Sequence, residues 1–251
     1  EVIFGPNSLI YGSDALGGVV HFKTKDPNLK IDTNSANRVG GFLRYHSISK
    51  GTVANIHFNI ANEKWGFFGS VTTSDFGDLT MGNNRTHGYE YFGKVPYYAM
   101  QTNGVDSMIK NNNENVHKNS GYNQMDILTK VLFQPKKGYE FKLNVQQSTS
   151  SNIPRFDKLN EYKDGVLRYG EWNYGPQNRS LIALSVEIEK DKMLFDINNT
   201  IFAFQKIEES RISRVFKSPF QENQEEDVSV YSFNSDFIKF LDSAKTVKLN
   251  Y

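Results

Sequence analysis

Apolar and polar residues alternate with a period of two along most of the chain, and long helical patterns are missing. Between Thr52 and Ala61, the apolar set is Ala54, Ile56, Phe58 and Ile60, and Asn55, His57 and Asn59 lie between them. Tyr139, Phe141, Leu143 and Val145 alternate in the same way with Glu140, Lys142, Asn144 and Gln146. Ile182, Leu184, Val186 and Ile188 share a third face, and Met193, Phe195, Ile197 and Ile201 a fourth, interrupted by Asn199. Further strands are predicted at 38–49, 64–76, 122–134, 228–241 and 245–251, which makes nine after residue 37. The predicted fold class is therefore all-β. Many of these runs reach 10 to 14 residues. Globular strands average about five or six, and a tilted strand crossing a bilayer needs about 9 to 11. The lengths favour an antiparallel transmembrane β-barrel, with a long soluble barrel as the alternative.

The connections carry a second signal. Short ones fall at Ser49-Lys50-Gly51, Asn62-Glu63-Lys64, Pro135-Lys136-Lys137-Gly138, Glu189-Lys190-Asp191-Lys192 and Asp242-Ser243-Ala244. Long ones fall near 77–121, 151–178 and 208–227, and after the first hairpin the two kinds alternate. Antiparallel strands place alternate connections at opposite ends, so one end is expected to carry tight turns and the other long loops, as in outer-membrane barrels. The 77–121 stretch is rich in Asn, Gly and Tyr and includes Asn111-Asn112-Asn113. For residues 103–120 a binding loop and a disordered solvated tip are both open readings.

Composition narrows the function classes. A net charge of +1 argues against a dedicated nucleic-acid binder. An abundance of aromatics (19 Phe, 13 Tyr and 2 Trp) argues against an acidic disordered chain. With no cysteine there is no disulfide framework, thiolate metal site or cysteine nucleophile. No apolar run is long enough for a transmembrane helix, which leaves β-barrels open. No Gly-x-Ser-x-Gly elbow occurs, and an enzyme is not expected. The chain opens on strand-like sequence and stops at Tyr251 within a pattern, so it is expected to be a piece of a longer protein.

Residues 1–27 read differently. Glu1-Val2-Ile3-Phe4 is a short strand, Gly5-Pro6-Asn7-Ser8 a turn, Tyr11 to Gly18 a glycine-rich bend and Val19 to Thr24 another strand, broken by Asp26-Pro27. A phosphate-binding loop needs Gly-Lys-Ser/Thr, and here Gly17-Gly18 is followed by Val19-Val20. The dinucleotide spacing fails too, because no glycine follows Gly12 until Gly17.

These residues closely resemble the end of the plug domain in TonB-dependent outer-membrane receptors. Glu1, Val2, Gly5, Pro6, Ser8, Tyr11, Gly12, Ala15, Gly17, Gly18, Val19, Thr24 and Lys25 all fit that family's motif without a gap. The motif covers about a tenth of the chain; the barrel pattern elsewhere is independent and agrees. A second, weaker resemblance runs through Ile153-Pro154-Arg155-Phe156-Asp157 and Tyr169 to Gln177. It is similar to an outer loop in receptors of the Bacteroidetes type, some of them in the haem and haemoglobin branch.

The resemblance implies a plug end at 1–30 and the N-terminal part of a barrel at 37–251, about nine strands of the 22 that such a barrel holds. It implies import of a scarce ligand such as an iron-siderophore, haem or cobalamin across the outer membrane of a Gram-negative bacterium. The implied partners are outer-membrane lipid, the imported ligand or its carrier, and the TonB complex, which engages a box outside this chain. No cofactor, metal or nucleic acid is expected. Gly5, Pro6, Tyr11, Gly12, Gly17 and Gly18 are then structural, allowing tight bends and close packing. Arg44, Asn55, His57, Asn59 and Lys142 would line the plug–barrel interface. The rival class is a soluble all-β cell-surface module recognising glycan or protein, whose apolar strand faces would meet in a core.

Candidate binding groups lie in the long loops. His87 and His117 could clasp haem, which is commonly held by histidine, or be plain solvated loop histidines. Arg155, Tyr169 and Trp172 bring cationic and aromatic chemistry suited to an anionic or flat ligand, or they serve loop–loop packing and interface girdles. Glu222, Glu225, Glu226 and Asp227 lack calcium-loop spacing and read as a solvated acidic loop.

Overall fold

The computed structural model describes residues 2–5, 17–29, 37–191, 193–242 and 244–250. It is an all-β, antiparallel structure. Two short N-terminal strands, β1 (Val2–Phe4) and β2 (Gly18–Val20), pair with each other. Then come β3 (Arg38–His46), β4 (Gly51–Ala61), β5 (Trp65–Phe76), β6 (Leu79–Thr80), β7 (Tyr97–Thr102), β8 (Val105–Lys110) and β9 (Val116–His117). They are followed by β10 (Tyr122–Lys136), β11 (Tyr139–Ser150), β12 (Ile153–Pro154), the one-turn helix α1 (Phe156–Leu159), β13 (Tyr162–Lys163), β14 (Val166–Leu167) and β15 (Tyr169–Tyr174). The last strands are β16 (Asn178–Glu189), β17 (Ile197–Val215), β18 (Glu222–Phe240) and β19 (Lys248–Asn250).

The main sheet runs β3-β4-β5-β10-β11-β16-β17-β18-β19, with each strand beside its sequence neighbour in that series. These nine match the nine predicted strands. Beyond the end of β16, β15 continues along the same edge of β17, and β12 pairs with β15. Among the described residues the sheet does not close on itself.

Register explains why these sequences form this sheet. Pairing places Ile60, Phe67, Val131, Leu143, Leu184, Phe202 and Phe233 in one row, an apolar residue on each of seven successive strands. The next row is Phe58, Gly69, Thr129, Val145, Ile182, Phe204 and Tyr231. A slip of one residue in any strand would turn its apolar set to the other face. Phe58 covers Gly69, where a Cβ would sit 2.5 Å from the ring. Near the tight turns Trp65 stacks on Phe133 at 4.1 Å between centroids, and Phe133 approaches Phe141 at 6.2 Å. This apolar face is uncovered: Ile60 is 55% exposed, Phe202 49% and Phe233 63%. Soluble monomers rarely expose contiguous apolar patches beyond a few hundred Å².

The opposite face is polar and hydrogen-bonded. Asn55 donates through Nδ2 to Ser70 Oγ (2.9 Å) and Thr72 Oγ1 (2.8 Å), and its Oδ1 lies 2.9 Å from His57 Nδ1. Ser148 Oγ donates to Asp126, which also accepts from Gln124.

Two expectations need correction. The stretch near 208–227 is no long loop: β17 and β18 each run 19 residues and leave only 216–221 as a connection. Glu222 to Asp227 therefore lie on a strand, where Glu226 and Asp227 face Arg211 (3.3 Å) and Lys206 (3.4 Å). The apolar face proposed for 193–201 is out of frame. Met193 and Leu194 precede the strand and are exposed, and the pairs Leu184–Phe202 and Ile182–Phe204 bring the even positions of β17 to the apolar face. Residues 103–120, for which two readings were open, carry β8 and β9 and the contacts described below.

At the N-terminus, β1 and β2 fall at two of the expected strands, although β2 ends at Val20. Gly18 is required there: φ is +149°, and a Cβ would lie 2.6 Å from the Ile3 carbonyl oxygen. Gly5 takes φ +92° in the turn, and Gly17 accepts from its N–H at 3.3 Å. Pro6, Tyr11 and Gly12 lie outside the described residues.

Candidate functional site

Two groups of side chains gather chemistry that the sheet alone does not need. The first is a cap built from the long connections at one end. β7 and β8 form a hairpin that packs beside β15. Ala99, Leu167 and Phe216, brought from three connections, bury together with Met108 against them. Asn111 ties the first connection together, donating through Nδ2 to the carbonyls of Val95 and Val116, both at 2.9 Å. The buried Asp106 carboxylate receives both guanidinium arms of Arg214 (2.5 and 2.9 Å) and the Lys217 N–H (2.7 Å). This fixes the hairpin to the outer reach of β17. The Arg214 guanidinium holds the Asp106 carboxyl below the usual carboxylate range against the opposing effect of burial.

The five candidate binding residues all lie in this cap, but they do not converge on one point. The Arg155 guanidinium stacks over Trp172 at 4.9 Å and over Tyr174 at 5.8 Å, and its Nε donates to Asp157. Its backbone N–H bonds the Trp172 carbonyl at 2.9 Å. Tyr169 carries the Arg168 guanidinium at 5.0 Å. His117 sits edge-on to Phe156 at 5.3 Å, and its Nδ1 lies 3.4 Å from the Asn160 amide. Burial pushes its imidazole below the usual range, partly offset by the Gly93 backbone, which favours the neutral, ligating form. The exposed His87 keeps within its own turn, accepting the Tyr89 N–H at 3.0 Å and meeting Phe92 edge-on at 5.3 Å. The two histidines share no partner among the described residues. A cleft of about 350 Å³ opens between the hairpin and β15, walled by Tyr98, Gln101, Asn119, Asn160, Trp172 and Asn173. Among the described residues no cluster of three metal-ligating side chains forms.

The second group lies where residues 24–29 cross the polar face. Asn59, 6% exposed, accepts the Asn28 N–H at 2.9 Å and donates to the Asn28 carbonyl at 3.1 Å. Lys130 reaches Asp26 Oδ1 (2.6 Å) and the Thr24 carbonyl (3.1 Å), and Lys142 reaches Asp26 Oδ2 (2.9 Å). Lys25 Nζ stands 3.5 Å from His57 Nε2. Burial alone would raise the Asp26 carboxyl, but the two lysines together hold it below its usual value. Pro27 and Leu29 sit over Gly66, where a Cβ would come within 2.9 and 3.2 Å of them. A polar cavity of about 460 Å³ opens beside Thr24, walled by Ser70, Thr72, Asp126, Gln146 and Gln205.

Of the five residues expected at an interface with the N-terminal segment, His57, Asn59 and Lys142 touch it, whereas Arg44 and Asn55 stand on the same face. Sequence reasoning missed Asp26, Lys130, Asp106 and Arg214. The alternation of β10 already placed Lys130 on the polar face, whereas Asp106 and Arg214 stand 108 residues apart and carried no local signal. No protein-family model matches the chain, and no curated protein matches it.

Proposed function

We propose that the chain is part of a TonB-dependent outer-membrane receptor: the end of the plug at 1–30, then the first strands of a transmembrane barrel at 37–251. The observation that carries this reading is the uncovered apolar face across seven strands, backed by a polar face that holds residues 24–29. A bilayer accepts the apolar face, and a polar lumen accepts the other. A soluble binding module would instead cover its apolar strand faces with a second layer. At about 3.3 Å per residue, the 19-residue strands β17 and β18 outrun the hydrocarbon core and carry the cap into the outer medium. The plug-end motif supports the same assignment.

Import then needs no covalent chemistry. An iron-siderophore, haem or similar scarce ligand binds at the cap, with Arg155, Tyr169, Trp172, His87 and His117 as the groups that recognise it. Binding biases the plug towards the TonB complex, which pulls it to open a path along the polar face. The missing strands needed to close the barrel come from the rest of the parent protein, since an open edge in lipid leaves backbone groups unpaired.

The test is growth of a source strain lacking the parent protein, with haem, a ferric siderophore or cobalamin supplied as the scarce nutrient. Loss of growth on one of them, restored by the wild-type receptor, is expected. The full-length double variant Arg155→Ala/Trp172→Ala should bind that ligand about two- to fivefold more weakly, the scale of a cation–π contact at an exposed site. Unimpaired growth of the deletion strain on all three would count against import.

A further inference from the structure

We propose that Asp26 is the catch of a two-lysine latch on the polar face, in which Lys142 passes from Asp26 to Glu140 when residues 24–29 leave the sheet. The two arms are unequal. Lys130 is 6% exposed, and among the described residues Asp26 is its single carboxylate within salt-bridge distance. Lifting Asp26 away takes from Lys130 both that carboxylate and the Thr24 carbonyl, so two charge-assisted hydrogen bonds are lost at once. Lys142 is 22% exposed and already touches a second carboxylate, Glu140, at 3.3 Å beside Asp26 at 2.9 Å. When the segment leaves, Lys142 keeps a partner on its own strand. Lys130 thus sets how firmly the segment is held, and Glu140 lowers the cost of release.

Asn28 and Asn59 make the contact readable. The Asn28 N–H is bonded to Asn59 Oδ1 beside the latch, so its exchange with solvent reports departure of the segment. The adjoining Pro27 is buried, and with Leu29 it covers Gly66, so the segment seats on the sheet through shape as well as charge. The latch rests on the receptor reading only for what pulls the segment away.

Hydrogen–deuterium exchange on the full-length parent protein in detergent tests it. Lys130→Met is expected to speed Asn28 exchange about tenfold, the scale of a lost hydrogen bond to a charged group, and Lys142→Met to speed it less. Asp26→Asn leaves every sheet residue in place and should behave like Lys130→Met, so a folding defect in the lysine variant does not decide the matter. Glu140→Gln should slow exchange below wild type, because the released state then loses the partner of Lys142. Wild-type exchange in Asp26→Asn would overturn the latch, and exchange at or above wild type in Glu140→Gln would overturn the handover. Neither readout depends on import, so a failed growth assay and a failed latch are separate results.

Discussion

Replacing Ile56 and Phe58 together by lysine is expected to abolish membrane insertion of the parent protein. Both belong to the apolar face of β4, where Ile56 is exposed and Phe58 lies over Gly69. A lysine facing lipid near the midplane costs about 2–4 kcal/mol, and two compare with the whole stability of many folded domains. The Phe58 change also uncovers Gly69 and removes the ring contact to Phe67 at 5.6 Å. The same charge on the polar face, in Gln205→Lys beside the polar cavity, should insert normally. Folding into lipid vesicles, read by altered gel mobility of unboiled samples, separates the two. Normal insertion of the Ile56/Phe58 variant would reverse the facing assigned to the sheet. Asn59 is a poor control for this purpose, because its clasp on Asn28 would be lost as well.

Asp106→Ala is expected to release the β7–β8 hairpin while leaving the sheet intact. Asp106 is 1% exposed and Arg214 9%. Removing one partner of a buried pair leaves the other charge uncompensated, at about 3–5 kcal/mol. The Lys217 N–H loses its acceptor too. Limited proteolysis should cut within 97–110 in the variant and not in wild type, and the gel mobility of the unboiled parent protein should be unchanged. The pH dependence has a definite sign. The Asp106 carboxyl is depressed in the folded state, so its contribution is complete above the ordinary aspartate pKa of about 3.9 and is lost as pH falls through the depressed value. Hairpin protection should stay flat from neutrality to about pH 4 and fall only below it. Release near pH 6 would show that another group governs the cap.

Much of the sheet was legible in the sequence because period-two alternation is a local property and each strand carries its own copy. Even there, the frame of β17 was misread. Met193, Phe195 and Ile197 alternate well alone, and only pairing with β16 shows that Phe202 and Phe204 carry the apolar face. Pro135 looked like part of a turn, but β10 continues to Lys136 through an irregularity between Phe133 and Lys136, where a missing N–H is tolerated. The cap was legible only as composition. Its order comes from contacts made across the chain: Asn111 on Val95 and Val116, Asp106 on Arg214, and Leu167 among Ala99 and Phe216. Such pairings leave no periodic trace. Asp26 was read as a strand breaker beside Pro27, and its meeting with Lys130 and Lys142 appears only once the segment lies on the sheet.

The central claim, that this sheet is a wall of an outer-membrane barrel, is tested most directly by locating the native parent protein. An antibody raised against residues 103–120, applied to fractions of the source cell with boiled and unboiled samples, gives the answer in one gel. A band is expected in the outer-membrane fraction whose mobility changes on boiling and whose mass is well above that of this chain. A soluble band of the chain's own mass, unchanged by boiling, would contradict it and make the cell-surface binding module the better reading.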